Sequence, residues 1–339
     1  MAHMSGESVG ISGLGYYIPD GIMTCEEVAI RSGIPLSVYQ EKIGMLRKHI
    51  AGPDEHPADM GIKASQMALR NAGLSGGDID IVVYCGAGFY DYQIWCPSAR
   101  IQEAIGASDC YGFEVRNGCN GGNLGLNLAK HLLLQDPEKS HALVVCADKL
   151  SILADYSDPA SLSLHHLADG AAAAVLTKGE SSNNIGSYAS VTDGSIVDRV
   201  MIPGGGTRRP FHLGIEMREA QFVVKDPKGL EDIFSNVYLK NYEKVIDRVL
   251  MLAGKKRDDI RFLFTNQVKR SLSRNILRTI GLREDQYMSV IAEYGHMGPT
   301  DTFFCMAKAQ EQGLIKKGDV VMLASSGTGF TWGATTVQF

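Results

Sequence analysis

Apolar residues along the chain recur with two periods. Spacings of three and four read as helices with one buried face, and short unbroken apolar runs between turn residues read as buried strands. Residues 64–88, "ASQMALRNAGLSGGDIDIVVYCGAG", predict an amphipathic helix, an Ala-Gly stop, a polar turn, Asp-Ile and a buried strand. Residues 242–267, "YEKVIDRVLMLAGKKRDDIRFLFTNQ", predict the same order. A glycine just past the last helical apolar residue is a stop signal. Ala72-Gly73 falls on Ala253-Gly254, and Asp78-Ile79 on Asp259-Ile260, at one constant spacing without a gap.

The parallel continues outward, so the chain reads as one unit used twice. In the first copy "ARIQEAIGASD" leads to a predicted strand "YGFEV", a turn at Cys119, a helix, and the strand "ALVVCAD". In the second, "SRNILRTIGLRED" leads to "YMSVIAEYGHMGPTDTFFCMAKAQEQG", read as a strand, a polar turn at His296 and a helix; the strand "DVVMLASSG" follows. Alternating strands and helices predict an α/β fold with a mostly parallel sheet in each half. The boundary is placed near "GESSNNIGS", giving halves 5–185 and 186–339. Cys119 and His296 then hold equivalent turns, each just before a helix. Open α/β sheets tend to bind ligands at the carboxyl ends of their strands, where both turns fall.

Composition narrows the partners. Of 339 residues, 45% are hydrophobic and 21% charged, enough apolar material for one large core or two joined ones. The formal net charge is -5 and no Lys/Arg-rich block occurs, which argues against nucleic acid and anionic membranes as partners. Apolar runs are too short for a transmembrane helix. The start shows no signal peptide, and residues 1–4 read as an expression remnant. Seven cysteines form no CxxC pair and no zinc spacing, so a metal is not expected and a reducing cytoplasm is the expected compartment. Six of the seven read as buried packing residues.

The seventh is Cys119, in "EVRNGCNGGNLGLNLAKHLL". A thiol where a helix begins faces the positive end of the helix dipole, which favours thiolate. Gly121-Gly122 lets the backbone approach a substrate, and nearby N–H groups could hold an oxyanion. From the residues alone, nucleophile and packing cysteine remain open. His296 in the equivalent turn suits a general acid/base or an oxyanion donor. Asn266 ends a strand aimed at the same centre. Thr328, between Gly327 and Gly329, reads as a tight hairpin or as a second oxyanion donor. Arg208 and Arg209 in "MIPGGGTRRP" suit a phosphate or a solvated loop. His165 and His166 read as structural or pocket-lining.

Five segments together resemble the thiolase superfamily and, within it, the 3-oxoacyl-ACP synthase III condensing enzymes: "GISGLGYYIPDGIMT", "CPSARIQEAIGA", "NGCNGGNLGL", "LADGAAAAVL" and "GTGFTWGATTV". The resemblance implies a five-layer αβαβα fold from two duplicated halves, and a homodimer. It implies that Cys119 takes an acyl group from acyl-CoA or an acyl carrier protein. A second thioester, usually malonyl, then loses CO2 and attacks the acyl-enzyme. No cofactor is implied beyond CoA or phosphopantetheine thioesters as substrates.

Four departures stand out against that pattern. Asn266-Gln267-Val268-Lys269 stands for His-Gln-Ala-Asn, and Tyr294-Gly295-His296 for Tyr-Gly-Asn, so asparagine and histidine are exchanged. Val38 and Lys42 replace the family's Trp and Arg at the pantetheine tunnel mouth. Cys96 sits where a bulky residue often closes the acyl pocket from the partner subunit. Apart from these four, Ser325 and Ser326 lie where thiolases use a second cysteine as a base, which disfavours a true thiolase. The expected catalytic set is Cys119, His296 and Asn266, with the N–H groups of Cys119 and Thr328 as oxyanion hole. The expected substrate contacts are Cys96, Lys42, Arg208 and Gln267. Carbon–carbon bond formation is the leading expectation. Acyl transfer to oxygen, nitrogen or sulfur, and a non-catalytic subunit of a heterodimer, are the alternatives.

Overall fold

The structure, a computed structural model, describes residues 7–233 and 237–339; residues 1–4 lie outside them. The first half contains β1 (Val9–Tyr17), β2 (Gly21–Thr24), α1 (Cys25–Ser32), β3 (Arg47–Ile50), α2 (Pro57–Ala72) and β4 (Ile81–Tyr84). It continues with α3 (Pro97–Ile105), β5 (Tyr111–Glu114), α4 (Gly121–Gln135), β6 (His141–Lys149) and β7 (Asp169–Lys178). The second half contains β8 (Asn184–Thr192), β9 (Val200–Met201), β10 (Val223–Val224), α5 (Pro227–Ile233), α6 (Leu239–Ala253) and β11 (Ile260–Thr265). It ends with α7 (Arg270–Ile280), α8 (Ile291–Tyr294), α9 (Thr300–Glu311), β12 (Val320–Gly327) and β13 (Thr331–Gln338).

The large sheet runs β11-β12-β13-β8-β1-β7-β6-β4-β5. Among the described residues its two halves join at the start of β1, where Gly10 pairs with Asn184 and the Ile11 N–H donates to the Asn183 carbonyl at 3.0 Å. The sheet is mixed, not mostly parallel. β4 lies parallel to β5 and β6, and β11 to β12, whereas β7, β1, β13 and β8 pair antiparallel. The link from β12 to β13 is too short for the crossover that a parallel pair needs.

Alternation along the strands builds the layers. In β4, Ile81 and Val83 face one side while Val82 and Tyr84 face the other. In β11, Phe262 and Phe264 share the first core, and Leu263 belongs to another. The shared middle core is filled by α4 and α9, with Leu126, Leu133, Phe303 and Met306 among its members. Helix α9 is buried continuously from Thr300 to Ala307, as a helix enclosed between two sheets must be. Helices α2 and α3 cover the outer face of the first half-sheet, and α6 and α7 that of the second. The result is α/β/α/β/α. Helix α2 sits directly on β1: a Cβ at Gly15 would lie 2.3 Å from the Ala64 carbonyl oxygen.

The repeat is visible in detail. Helices α2 and α6 both end at left-handed glycines, Gly73 (φ 67°) and Gly254 (φ 64°). A short turn follows each, and there Asp78 accepts the Ser75 N–H at 2.8 Å and Asp259 the Lys256 N–H at 2.7 Å. One expected element differs. Of the strand read from Tyr287 onward, only a bridge from Tyr287 to Leu263 forms, and α8 follows. The Gln267 side chain occupies the backbone there instead, accepting the Val290 N–H at 2.9 Å and donating to the Met288 carbonyl at 3.4 Å.

Candidate active site

Cys119 lies one residue ahead of the Asn120 N-cap of α4, in a tightly held turn. Gly118 is left-handed (φ 55°), and a Cβ on it would come within 2.8 Å of the Thr328 backbone nitrogen. A Cβ on Gly327 would lie 2.4 Å from the Asn117 carbonyl oxygen and 2.9 Å from the Cys119 nitrogen. Two glycines thus let the β12–β13 turn press backbone to backbone on the cysteine turn, which sets the Thr328 N–H beside it. Asn120 braces the turn by donating to Asn117 Oδ1 at 2.8 Å and to the Tyr188 hydroxyl at 3.1 Å.

His296 arrives from the equivalent turn before α9. Its backbone is clamped to the segment ahead of β7: its N–H donates to the His166 carbonyl, and its carbonyl accepts the Ala168 N–H, both at 2.8 Å. Its Nε2 lies 3.3 Å from Cys119 Sγ. Its Nδ1 lies 2.5 Å from Oδ2 of Asp301, which is fully buried in the first turn of α9. Asp301 also accepts the N–H groups of Gln267 at 2.6 Å and Met297 at 2.9 Å. Burial alone would depress the His296 imidazolium. The Asp301 carboxylate and the Cys119 sulfur outweigh it and hold the pKa well above that of ordinary histidine. The three side chains form a thiol–imidazole–carboxylate line. Asp301 is absent from the set expected from the sequence; its signal is the aspartate five residues after the histidine in "HMGPTD".

Asn266 is buried at the end of β11. Its Oδ1 accepts the Tyr242 hydroxyl at 2.7 Å and the Ser326 N–H at 3.1 Å. With the carbonyl end occupied by two donors, its amide nitrogen, which also hydrogen-bonds the Tyr238 phenol, is the end that can donate to a substrate oxygen. The Ser326 hydroxyl meets the Tyr238 hydroxyl at 2.5 Å, and burial pushes the Tyr238 phenol up to about 12, so it remains a neutral partner.

The remaining expected contacts fall elsewhere. Gln267 is not placed as a substrate contact: it is fully buried, and both ends of its amide serve backbone groups of residues 265, 288 and 290. It holds the chain that leads to His296. Lys42 is exposed near the end of the Val38–Ile43 turn, and Arg208 is exposed in its loop, where the neighbouring Arg209 pairs with Glu219 at 3.0 Å. Of the six cysteines read as buried packing residues, Cys110 is only half-buried and Cys96 is exposed at the N-cap of α3. Lys48, missed from the sequence, is buried behind His296 and donates to the carbonyls of His165 at 2.8 Å and Leu167 at 2.6 Å. Burial pushes its amine down to about 7, against the opposing pull of Asp169.

Among the described residues, no group of His, Cys, Asp and Glu is arranged to hold a metal, and no helix is long and apolar enough to cross a membrane. Residues 113–194 match the family model for 3-oxoacyl-[acyl-carrier-protein] synthase III, and residues 250–339 match the model for its C-terminal part; together they cover half the chain. The chain is 28% identical over 329 residues to the beta-ketoacyl-[acyl-carrier-protein] synthase III of Solibacter usitatus, covering 96% of this chain and 97% of the relative. It is 29% identical over 334 residues to that of Erythrobacter litoralis, with 97% and 98% covered. The solved 3-oxoacyl-[acyl-carrier-protein] synthase III of Aquifex aeolicus superposes with a TM-score of 0.86 at 21% identity, over 98% of this chain and all of that one. OleA of Xanthomonas campestris superposes with a TM-score of 0.85 at 19% identity, over 98% of each chain. Cys119 lies in the first matched segment and Asn266, His296 and Thr328 in the second: the chain belongs to the 3-oxoacyl-[acyl-carrier-protein] synthase III family of the thiolase superfamily.

Proposed function

We propose that the protein is a condensing transferase that joins two acyl thioesters through an acyl-cysteine. The observation that carries this reading is the 3.3 Å approach of Cys119 Sγ to His296 Nε2, backed by Asp301. The Cys119 thiolate attacks the carbonyl carbon of an acyl thioester, the carbon–sulfur bond to pantetheine breaks, and the departing thiolate takes the Nε2 proton of His296, which is then restored from water. The second substrate is a malonyl-type thioester. Its bond to the carboxylate breaks, CO2 departs, and the electron pair stays as an enolate. The His296 imidazolium and the Asn266 amide donate to that enolate oxygen. The carbanion attacks the acyl-cysteine carbonyl, whose oxyanion the Cys119 and Thr328 N–H groups hold. Collapse expels the Cys119 thiolate and releases a β-ketoacyl thioester.

The exchange of asparagine and histidine fits this scheme, because both residues can donate to the same oxygen. An imidazolium held by Asp301 suits donation. The acyl-transfer alternative needs the same residue as a free base. The acyl donor is acyl-CoA or an acyl carrier protein, with no tightly bound cofactor, and the assembly is a cytoplasmic homodimer in which Cys96 faces the neighbouring acyl pocket. Lys42 and Arg208, both exposed, are left to meet the phosphates or the carrier.

The test is intact-protein mass spectrometry after incubation with a panel of acyl-CoAs, beside a Cys119→Ala control. A mass gain in the wild type alone, discharged by malonyl-CoA with CO2 release, supports the reading. Discharge by an alcohol or amine without CO2 moves it to acyl transfer. Absence of an adduct with every acyl-CoA and acyl carrier protein tried makes the chain a non-catalytic subunit.

A further inference from the structure

Beside His296 lies a second imidazole that the scheme above leaves without a task. The His166 ring stacks on the His296 ring, with centroids 5.6 Å apart and planes 25° apart. The His166 carbonyl also receives the His296 N–H, so both parts of the residue are fixed to the site. His166 keeps 6% of its surface open, as does His296. Its Nδ1 is buried with no hydrogen-bond partner, and its Nε2 meets no protein partner among the described residues.

The position of its proton follows from this. A neutral imidazole carries one N–H. On Nδ1 that proton would be a buried donor without an acceptor, which costs ~1–3 kcal/mol. It therefore belongs on Nε2, at the open edge. The ring is also kept neutral. Burial first, then the positive surroundings of His296, Lys48, His165 and Lys269, hold its pKa well below that of ordinary histidine.

We infer that His166 is a third hydrogen-bond donor of the site, stacked on His296 with an unpaired Nε2–H, and that it receives the carboxylate of a β-carboxyacyl thioester. The inference rests on the condensation reading above and adds to it. A thioester carbonyl oxygen has two lone pairs, and His296 and Asn266 already supply two donors. A third donor is used only by a substrate with a further acceptor oxygen. The His296 imidazolium stacked against the ring suits an anionic one. Donation to the carboxylate fixes its rotation before the carbon–carbon bond breaks, and it ends when CO2 leaves.

The test separates stacking from donation. His166→Phe keeps a flat ring against His296 and removes the donor. His166→Gln loses the ring but restores an amide N–H near the place of Nε2. Each variant is loaded with acyl-CoA, and its discharge is followed against malonyl-CoA concentration by mass spectrometry. The expected result is a KM for malonyl-CoA raised about tenfold in the Phe variant, a smaller change in kcat, and recovery in the Gln variant. A Phe variant with wild-type KM overturns the proposal. So does one in which acyl loading and discharge fall together, since the ring would then only support His296. A wild-type acyl-enzyme that malonyl-CoA never discharges overturns the condensation reading itself, and this role with it.

Discussion

Asp301 binds three groups at once: the His296 ring and the N–H groups of Gln267 and Met297. It joins the strand carrying Asn266 to the turn carrying His296. Replacing it with Asn keeps the shape and removes the charge. His296 should then titrate at a lower pH, read from its Cε1 proton by NMR, and discharge of the acyl-enzyme should slow about a hundredfold. The sign on stability follows. Because the folded pKa of His296 is raised, its contribution is complete below the unfolded value of about 6.5 and fades as pH rises through the raised one. Asp301→Asn should remove that alkaline decline.

Asp148 behaves in the opposite sense to a paired carboxylate. Its Oδ1 accepts the Ala87 N–H at 2.8 Å, but Oδ2 is buried without a partner among the described residues, and burial raises its pKa well above the usual range. The folded protein therefore holds a proton that the unfolded chain releases near pH 4. Stability attributable to this group falls as pH rises from about 4 through the raised folded pKa. Asp148→Asn should flatten that fall, seen as a urea midpoint that changes less than wild type between pH 5 and pH 8.

At the scale of elements, the decisive piece is the β12–β13 turn against the Cys119 turn. An alanine at 327 would drive a Cβ into the Asn117 carbonyl and the Cys119 nitrogen. Gly327→Ala should cost several-fold or more in acyl loading and about 1–3 kcal/mol in stability. Gly206→Ala, with open space around it, should change neither. Much of this level was legible in advance. The Ala-Gly stops at 73 and 254 and the Asp-Ile pairs that follow disclosed the repeat, because a helix stop and a buried strand depend on local residues alone. The turns of Cys119 and His296 followed from their equal places in it. What escaped depended on side chains reaching across the fold. Gln267 replaces a strand ladder with its amide, so the apolar run after Tyr287 reads as a strand in the sequence but forms none. Lys48 and Asp301 act through partners far along the chain or buried in the middle layer, where no period in the sequence reports them. His166 reads from the sequence as structural or pocket-lining, because nothing nearby in sequence marks a ring stacked on another.

At the scale of the whole molecule, the sheet ends at β5, whose outer edge is unpaired among the described residues, and Tyr111 at its start is exposed. Ile94, fully exposed with φ 51°, and Tyr92 stand out from the preceding loop. An unpaired sheet edge and exposed apolar side chains are each poor surfaces to leave in water. The protein should elute as a dimer in size-exclusion chromatography with light scattering. Tyr111→Lys combined with Ile94→Lys should shift it to the monomer and lower discharge of the acyl-enzyme.

The join between the half-sheets has one more implication. Asn184 pairs with Gly10 on one side and with Gln338 on the other. The first strand, the last strand and the crossing point between halves thus meet at one residue, with the two outer strands about 10 Å apart. The order in which the halves are synthesised is therefore not needed by the fold. A circular permutant, with residue 339 tied to residue 7 by a short Gly/Ser linker and new ends between Ser181 and Ser182, should fold to the same structure and still acylate Cys119. Separately expressed halves cut at that same loop should reassemble, each bringing one wall of the active site.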